Sequence, residues 1–182
     1  MVTLKIAEIF GDRFVLMTQN SLQILPLAVD HIDAVWAIEQ QAHSHPWSQN
    51  MIRDLTHQNS PNSSKNQFGL WLNQTLVGYY YSQNVVGEVT LLTIAVDPVL
   101  QGKGYGRMLI QHLIDHSEDA EAESIWLEVR ASNTGAYHLY ESLGFNEMDR
   151  RVNYYPSQTS KNGKEDAIIM NLLLDSGFNP FS

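Results

Sequence analysis

The chain has no cysteine among its 182 residues. That excludes disulfides, thiolate metal sites and a cysteine nucleophile. No run of about 18 apolar residues occurs, so a helical membrane span is not expected. Nor does the N-terminus show a basic region followed by a long apolar core, so no signal peptide is read. Basic residues are few, 11 Lys and Arg against 20 Asp and Glu, for a net charge of −9. Beyond the pair Arg150-Arg151 they form no cluster, and direct nucleic-acid binding is not expected. An acidic surface aids solubility and favours encounter with a basic partner. Together these absences fit a cytoplasmic protein. The P-loop string G-x-x-x-x-G-K-[ST] is missing as well.

What the chain does have is concentrated between Leu91 and His116: LLTIAVDP, VLQGKGYG, RMLIQHLIDH. The first piece is apolar and rich in β-branched residues, as in a buried strand. Asp97-Pro98 ends it. The third has Met108, Leu109, Leu113 and Ile114 at helical spacing, as in a core-facing helix. Between them Gly102, Gly104 and Gly106 fall within five positions. Strand, glycine loop and helix N-terminus together form a cradle for an anion, with side chains missing where a phosphate would approach the backbone.

The remainder is predicted in order. Residues 1–22 form an extension, either a strand hairpin or an appendage. From Gln23 a domain runs to Leu174, and 175–182 are a tail. QILPL is an edge strand stopped by Pro26. Asp30 caps a helix carrying Ile32, Val35, Trp36 and Ile38, and Ser48 caps a second with Met51, Ile52 and Leu55 inward. His43 and His45 lack an acidic or thiol partner at ligand spacing, so no metal is expected. Residues 57–66 read as a mobile polar loop. Phe68–Leu72, Leu76–Ser82 and Glu88–Val96 form a meander with turns at Asn73-Gln74 and near Asn84–Gly87. After a helix over 104–117, residues 118–123 are a solvated connection. Ser124–Arg130 is a strand, Asn133 caps a helix running through Leu143, and Asn146–Tyr155 and Asp166–Leu174 are the last strands. The unit over 91–130 implies parallel pairing, hence a mixed α/β sheet with helices on both faces.

G-x-G-x-G resembles a dinucleotide fingerprint only loosely. Glu128 lies at roughly the right distance for the acidic residue of such a site. Against that, a proline linker separates strand from glycines, the preceding strands form a meander, and too little chain follows for a second half. A nicotinamide reductase stays as a remote alternative. Gln101-Gly102-Lys103-Gly104-Tyr105-Gly106 instead matches the Gln/Arg-x-x-Gly-x-Gly/Ala signature of the GNAT superfamily of N-acetyltransferases. With IAVDP before it, and WLEVRASN, LYESLGF, RRVNYYP and GKEDAIIM after it, residues 24–174 resemble the bacterial ribosomal-protein-alanine N-acetyltransferases. The chain departs from them in its N-terminal extension, its short C-terminal tail and a longer 57–66 loop.

The resemblance implies a GNAT fold: a central, mostly antiparallel mixed sheet with a bulged strand, and two parallel strands that splay at their C-terminal ends to admit acetyl-coenzyme A as co-substrate. It implies that Ile94, Ala95 and Val96 offer backbone groups to the pantetheine arm. Gln101, Gly102, Lys103, Gly104, Tyr105, Gly106 and Arg107 would hold the pyrophosphate, and Asn133 would hydrogen-bond the arm. Glu128 becomes the base that deprotonates the acceptor amine, and Tyr140 the acid that protonates the leaving sulfur. Read from the residues alone, Glu128 is equally an exposed strand residue or a partner for Arg130, and Tyr140 a core aromatic. Enclosure of Glu128 by its apolar strand would make it a stronger base. Direct transfer in a ternary complex follows from the lack of cysteine, with an N–H near Val96 serving the oxyanion. His43–Ser48 and Asn153-Tyr154-Tyr155 resemble walls of a peptide entry, with at most one of the two tyrosines facing the peptide. Glu165 and Asp166 stand near that mouth, either to attract a cationic N-terminus or simply solvated. The implied acceptor is the N-terminal alanine of small-subunit ribosomal protein eighteen. Broader peptide, lysine or small-amine acetylation is the alternative, and a coenzyme-A-binding module without turnover is the reading from another class.

Overall fold

Two tight hairpins build the first half of the sheet. In the computed structural model, which describes residues 21–56, 65–158, 160 and 162–174, the elements are β1 (Leu22–Pro26), α1 (Ile32–Ala42), α2 (Gln49–Thr56), β2 (Lys65–Leu72), β3 (Thr75–Val85) and β4 (Glu88–Val96). There follow α3 (Tyr105–Asp119), β5 (Ser124–Arg130), α4 (Thr134–Glu141), β6 (Asn146–Pro156) and β7 (Lys164–Leu173). Asn73 and Gln74 turn β2 into β3 with φ of 49° and 73°, and Val86 and Gly87 turn β3 into β4 with φ of 52° and 83°. Consecutive left-handed residues match the right-handed twist of paired strands, so both hairpins stay tight.

The seven strands form one sheet in the order β1-β2-β3-β4-β5-β7-β6. All neighbours are antiparallel except β4 and β5. The mixed sheet and parallel pair expected from the sequence are present, and each face carries its own core. On one, α1 and α2 cover Tyr79, Tyr81, Leu76 and Ala95 with Ile32, Val35, Ile38 and Ile52. On the other, α3 and α4 supply Leu109, Ile110, Leu113, Ile114 and Tyr140 against Val77, Tyr80, Val89, Leu127, Val129 and Met170. Successive strand residues point to opposite faces, so the run Tyr79-Tyr80-Tyr81 is buried throughout only because both faces are covered.

Several sequence expectations need correction. Asp30 does not cap α1. The chain first makes a 3-10 turn over Val29–His31, and the His31 ring accepts the Ala28 N–H at 3.0 Å. Ser48 does cap α2, accepting the Met51 N–H at 3.2 Å, yet Met51 itself is 48% exposed. Met108 is exposed too, and Ile110 takes the core place assigned to it. Glu118 and Asp119 continue α3, while α4 stops at Glu141 and leaves Leu143 in the turn closed by Gly144. Lys65 and Asn66 already belong to β2. The expectations for 1–20, 57–64 and 175–182 lie outside the described residues.

Candidate active site

The site begins where the parallel pairing fails. β4 and β5 are joined only by Glu88–Thr90 against Ser124–Trp126. Just beyond, the register of β3 and β4 slips, with Tyr81 opposite Thr93 and Ser82 opposite Leu91, so Leu92 is an extra residue, a β-bulge. A bulge bends its strand and increases local twist. From Leu91 onward β4 keeps its β3 partner on one edge and has none on the other. Ile94, Ala95 and Val96 pair with Tyr80, Tyr79 and Gly78. Their side chains pack in the two cores, so what they present to the gap is alternate backbone N–H and C=O groups. An extended polar arm can pair with such an edge as an added strand does. The bulge lies four residues before Val96, and from there to Val96 the edge of β4 that faces the gap is unpaired.

Gln101 to Arg107 closes one end of the gap. The Gln101 amide donates to the Val96 carbonyl at 3.1 Å, tying the loop to the end of β4. Gly102 and Gly104 have φ of 75° and 85°, and a Cβ on either would meet nothing within 4 Å. Backbone conformation, not crowding, therefore requires glycine there. Gly106 differs, with a Cβ position 3.4 Å from Leu139 on α4. Gly104 is the N-cap of α3, whose first turn has no acidic residue. The unpaired N–H groups of that turn and the helix dipole suit an anion. Lys103 is exposed and Tyr105 half-buried. The Arg107 guanidinium is engaged elsewhere, donating to the Ser142 hydroxyl at 2.6 Å.

A cleft of about 400 Å³ opens between the splayed strands, lined among others by Glu39, His43, Trp47, Thr93, Glu128, Asn133, Tyr140 and Tyr155. Glu128 is on it because β5 alternates: Ile125, Leu127 and Val129 enter the core while Glu128 and Arg130 face the side that α1 and α2 leave open. Glu128 is not enclosed, as the reading of an exposed strand residue has it. Its side chain is 31% exposed and pairs with Arg151 at 2.8 Å, not with Arg130. A register irregularity in β6 between Arg151 and Tyr155 accompanies that change of partner.

Tyr140 is 6% exposed, packed against Phe145 with its phenol toward the cleft. Burial pushes that phenol well above its ordinary pKa, so it holds its proton and can donate. Asn133 caps α4, its side-chain oxygen accepting the Ala136 N–H at 3.2 Å.

The acceptor side is braced by Arg130. It donates to Glu165 at 2.7 Å and to the Pro156 carbonyl at 2.9 Å, lies 3.3 Å from His45 Nδ1, and stacks 4.3 Å over the Tyr155 ring. Glu165 is thereby neutralised. Although burial opposes it, hydrogen bonds from Ser132 and Arg130 hold its carboxyl below the usual range. Asp166 is occupied by the Asn153 N–H at 2.9 Å. Of the two, Glu165 has a cationic partner, and Asp166 accepts a neutral backbone N–H. Tyr155 lines the cleft and Tyr154 does not. Sequence reasoning missed Glu39, which is buried in the cleft wall. Its only trace in the sequence is a place on the helical row of Ile32 and Val35, which does not by itself bury a carboxylate.

The Acetyltransferase (GNAT) family matches residues 32–145. This chain belongs to the GNAT acetyltransferases. It is 44% identical over 155 residues to the [Ribosomal protein bS18]-alanine N-acetyltransferase of Salmonella typhimurium, covering 84% of this chain and 97% of that one. The Escherichia coli K12 protein of the same name is 44% identical over 149 residues, covering 82% and 95%. Among solved structures, the ribosomal-protein-S18-alanine N-acetyltransferase from Escherichia coli superposes with a TM-score of 0.76 at 42% identity, over 85% of this chain and 94% of that one. Ard1 from Thermoplasma volcanium shares the fold, with a TM-score of 0.72 at 23% identity over 84% and 97%. As a GNAT member the chain is an acetyl-coenzyme-A-dependent N-acetyltransferase.

Proposed function

We propose that this GNAT enzyme acetylates the N-terminal α-amine of ribosomal protein bS18, at alanine, in the cytoplasm. The observation that carries this reading is identity of 44% across 97% of a curated relative of that activity. Acetyl-coenzyme A supplies the activated acetyl group. Ile94, Ala95 and Val96 hold its arm by their backbone, Asn133 adds its side-chain amide, and Gln101 to Gly106 with the start of α3 receive the pyrophosphate. Arg107 contributes by fixing α3 to the end of α4 through Ser142.

An ammonium has no lone pair, so the acceptor must first lose a proton. An α-amine releases it near pH 8 and a lysine near 10.4, which makes the N-terminus the easier acceptor. Glu128, solvated and steadied by Arg151, takes this proton directly or through a water. N–H groups on the unpaired edge of β4, from Leu92 to Val96, stabilise the developing oxyanion. Tyr140 gives its proton to the departing sulfur. His43 to Trp47 and Tyr155, locked together by Arg130, wall the acceptor entrance.

The test is free-thiol release from acetyl-coenzyme A with a peptide bearing the bS18 N-terminus, a matched N-blocked peptide carrying lysine, and small amines. Turnover confined to the free α-amine supports the reading. Turnover confined to the N-blocked lysine peptide overturns it, and tight coenzyme binding with no turnover on any amine would make the protein a binding module.

A further inference from the structure

Acetylating an ammonium removes two protons from nitrogen, one before attack and one after the N–C bond has formed. Glu128 accounts for the first. The opposite wall of the cleft carries a second candidate acceptor. Glu39 is 1% exposed yet lines the cleft. Its Oε1 accepts the Trp47 N–H at 2.8 Å, and its Oε2 accepts the Tyr79 O–H. The same Oε2 lies 3.5 Å from His43 Nε2, and the Thr93 hydroxyl is 3.4 Å from that nitrogen. A carboxylate removed from water costs several kcal/mol unless donors surround it, and here they do. Burial, and after it the Glu39 charge, raise the pKa of Tyr79, so that phenol stays a donor. The His43 side chain is 35% exposed and reaches both solvent and cleft.

We propose that Glu39 and His43 act as a carboxylate–imidazole pair, His43 taking the second proton from the acceptor nitrogen; this rests on the acetyl-transfer reading above. With Glu39 facing Nε2, that nitrogen carries the ring's hydrogen and Nδ1 keeps its lone pair. Among the described residues no hydrogen bond goes to Nδ1. As the nitrogen bonds to the acetyl carbon it becomes positive. Its N–H proton then passes to Nδ1, directly or through one water. The carbon–sulfur bond breaks with its electron pair on sulfur, and sulfur takes the Tyr140 proton. Of the two protons shed by nitrogen, one restores Tyr140 and the other leaves to solvent. Glu39 is a positioning residue that fixes the tautomer and stabilises the imidazolium. The contacts are long for hydrogen bonds, as catalytic ones often are before substrate arrives.

The groups around His43 are Glu39 on α1, Tyr79 on β3, Thr93 on β4 and His45 beyond it in the chain, with Glu128 and Arg130 on β5, Tyr140 on α4 and Tyr155 on β6 also lining the cleft. The decisive experiment compares His43→Gln, Glu39→Gln and Glu128→Gln with the parent enzyme, using an N-terminal alanine peptide. His43→Gln is expected to lower kcat at least tenfold, leave acetyl-coenzyme A binding unchanged, and abolish the acid limb of the pH profile that imidazole protonation causes. Glu128→Gln keeps that limb. Independently of turnover, imidazole nitrogen NMR of the ligand-free protein, with His43→Gln for assignment, is expected to show hydrogen on Nε2, and Glu39→Gln to mix the two tautomers. Parent-like kcat and an unchanged profile in His43→Gln overturn the proposal, as does hydrogen on Nδ1 in the parent. If Glu39→Gln does not fold, His43→Gln and the parent tautomer decide alone. A parent enzyme that acetylates no amine would sink the earlier reading instead.

Discussion

Removing one oxygen from Tyr140 separates its chemical role from its structural one. The ring is part of the core beside Phe145, and the phenol opens onto the cleft with no hydrogen bond to any described residue. Tyr140→Phe therefore keeps the packing and removes a group the fold does not use. Stability should stay within about 0.5 kcal/mol of the parent, a shift of roughly 1–2 °C in Tm. The effect on rate is of a different size. Burial holds the phenol above its ordinary pKa, well above that of a thiol near 8.5, so it is a weak acid toward sulfur. Its contribution then resembles one preorganised donor to a developing negative charge, worth about 100-fold or ~2.7 kcal/mol. Thiol release at saturating acetyl-coenzyme A and peptide should show that fall, with coenzyme Kd unchanged by calorimetry. A kcat within threefold of the parent would refute the assignment. A Tm lowered by more than about 5 °C would show that the hydroxyl is structural after all.

Glu128→Gln should lower kcat at least tenfold while Tm moves little, because the half-exposed pair with Arg151 is worth under about 1 kcal/mol; steady-state kinetics with a melting curve checks both. Asn133→Ala should cost about 1 kcal/mol through the lost α4 cap and also weaken acetyl-coenzyme A binding, read by denaturant titration and calorimetry. Gly104→Ala should cost about 1–2 kcal/mol from its left-handed φ of 85° alone, since the Cβ meets no neighbour. Alkaline stability follows from Tyr79, Tyr80, Tyr81 and Tyr140, all pushed up mainly by burial, Tyr81 to about 12. The unfolded chain loses these four protons near pH 10 and the folded one keeps them. Stability should thus be full below about pH 10 and fall by roughly 5 kcal/mol per unit above it, as urea titrations at pH 9 to 11 would show.

Most strands were readable because each expresses one local rule. Ser124–Arg130 alternates, Asn73-Gln74 turns, and Asn133 caps. The glycine loop was readable because left-handed backbone leaves a compositional trace. Glu39 was not, because a carboxylate on a helix is ordinarily solvated, and only Tyr79 and Trp47, 40 and 8 residues distant, make it otherwise. That Glu128 pairs with Arg151 was hidden for a related reason. The sequence neighbour Arg130 is claimed by Glu165, and Arg151 arrives on a strand that reaches β5 only through β7. The bulge at Leu92 leaves no mark in composition, since it is a mismatch between two strands rather than a property of either.

The shortness of the β4–β5 ladder has a mechanical meaning. Among the described residues, three residue pairs are the only strand pairing between a four-stranded sheet, β1 to β4, and a three-stranded one, β5 to β7. The protein is in this respect a sheet built with one seam unstitched. A ligand lying in that seam, pairing with the free edge of β4, acts as an inserted strand and couples the two halves. Held at 100 times its Kd, such a ligand adds about 2.7 kcal/mol to folding. The abundance of a metabolite would then help set how long the enzyme stays folded as well as how fast it works.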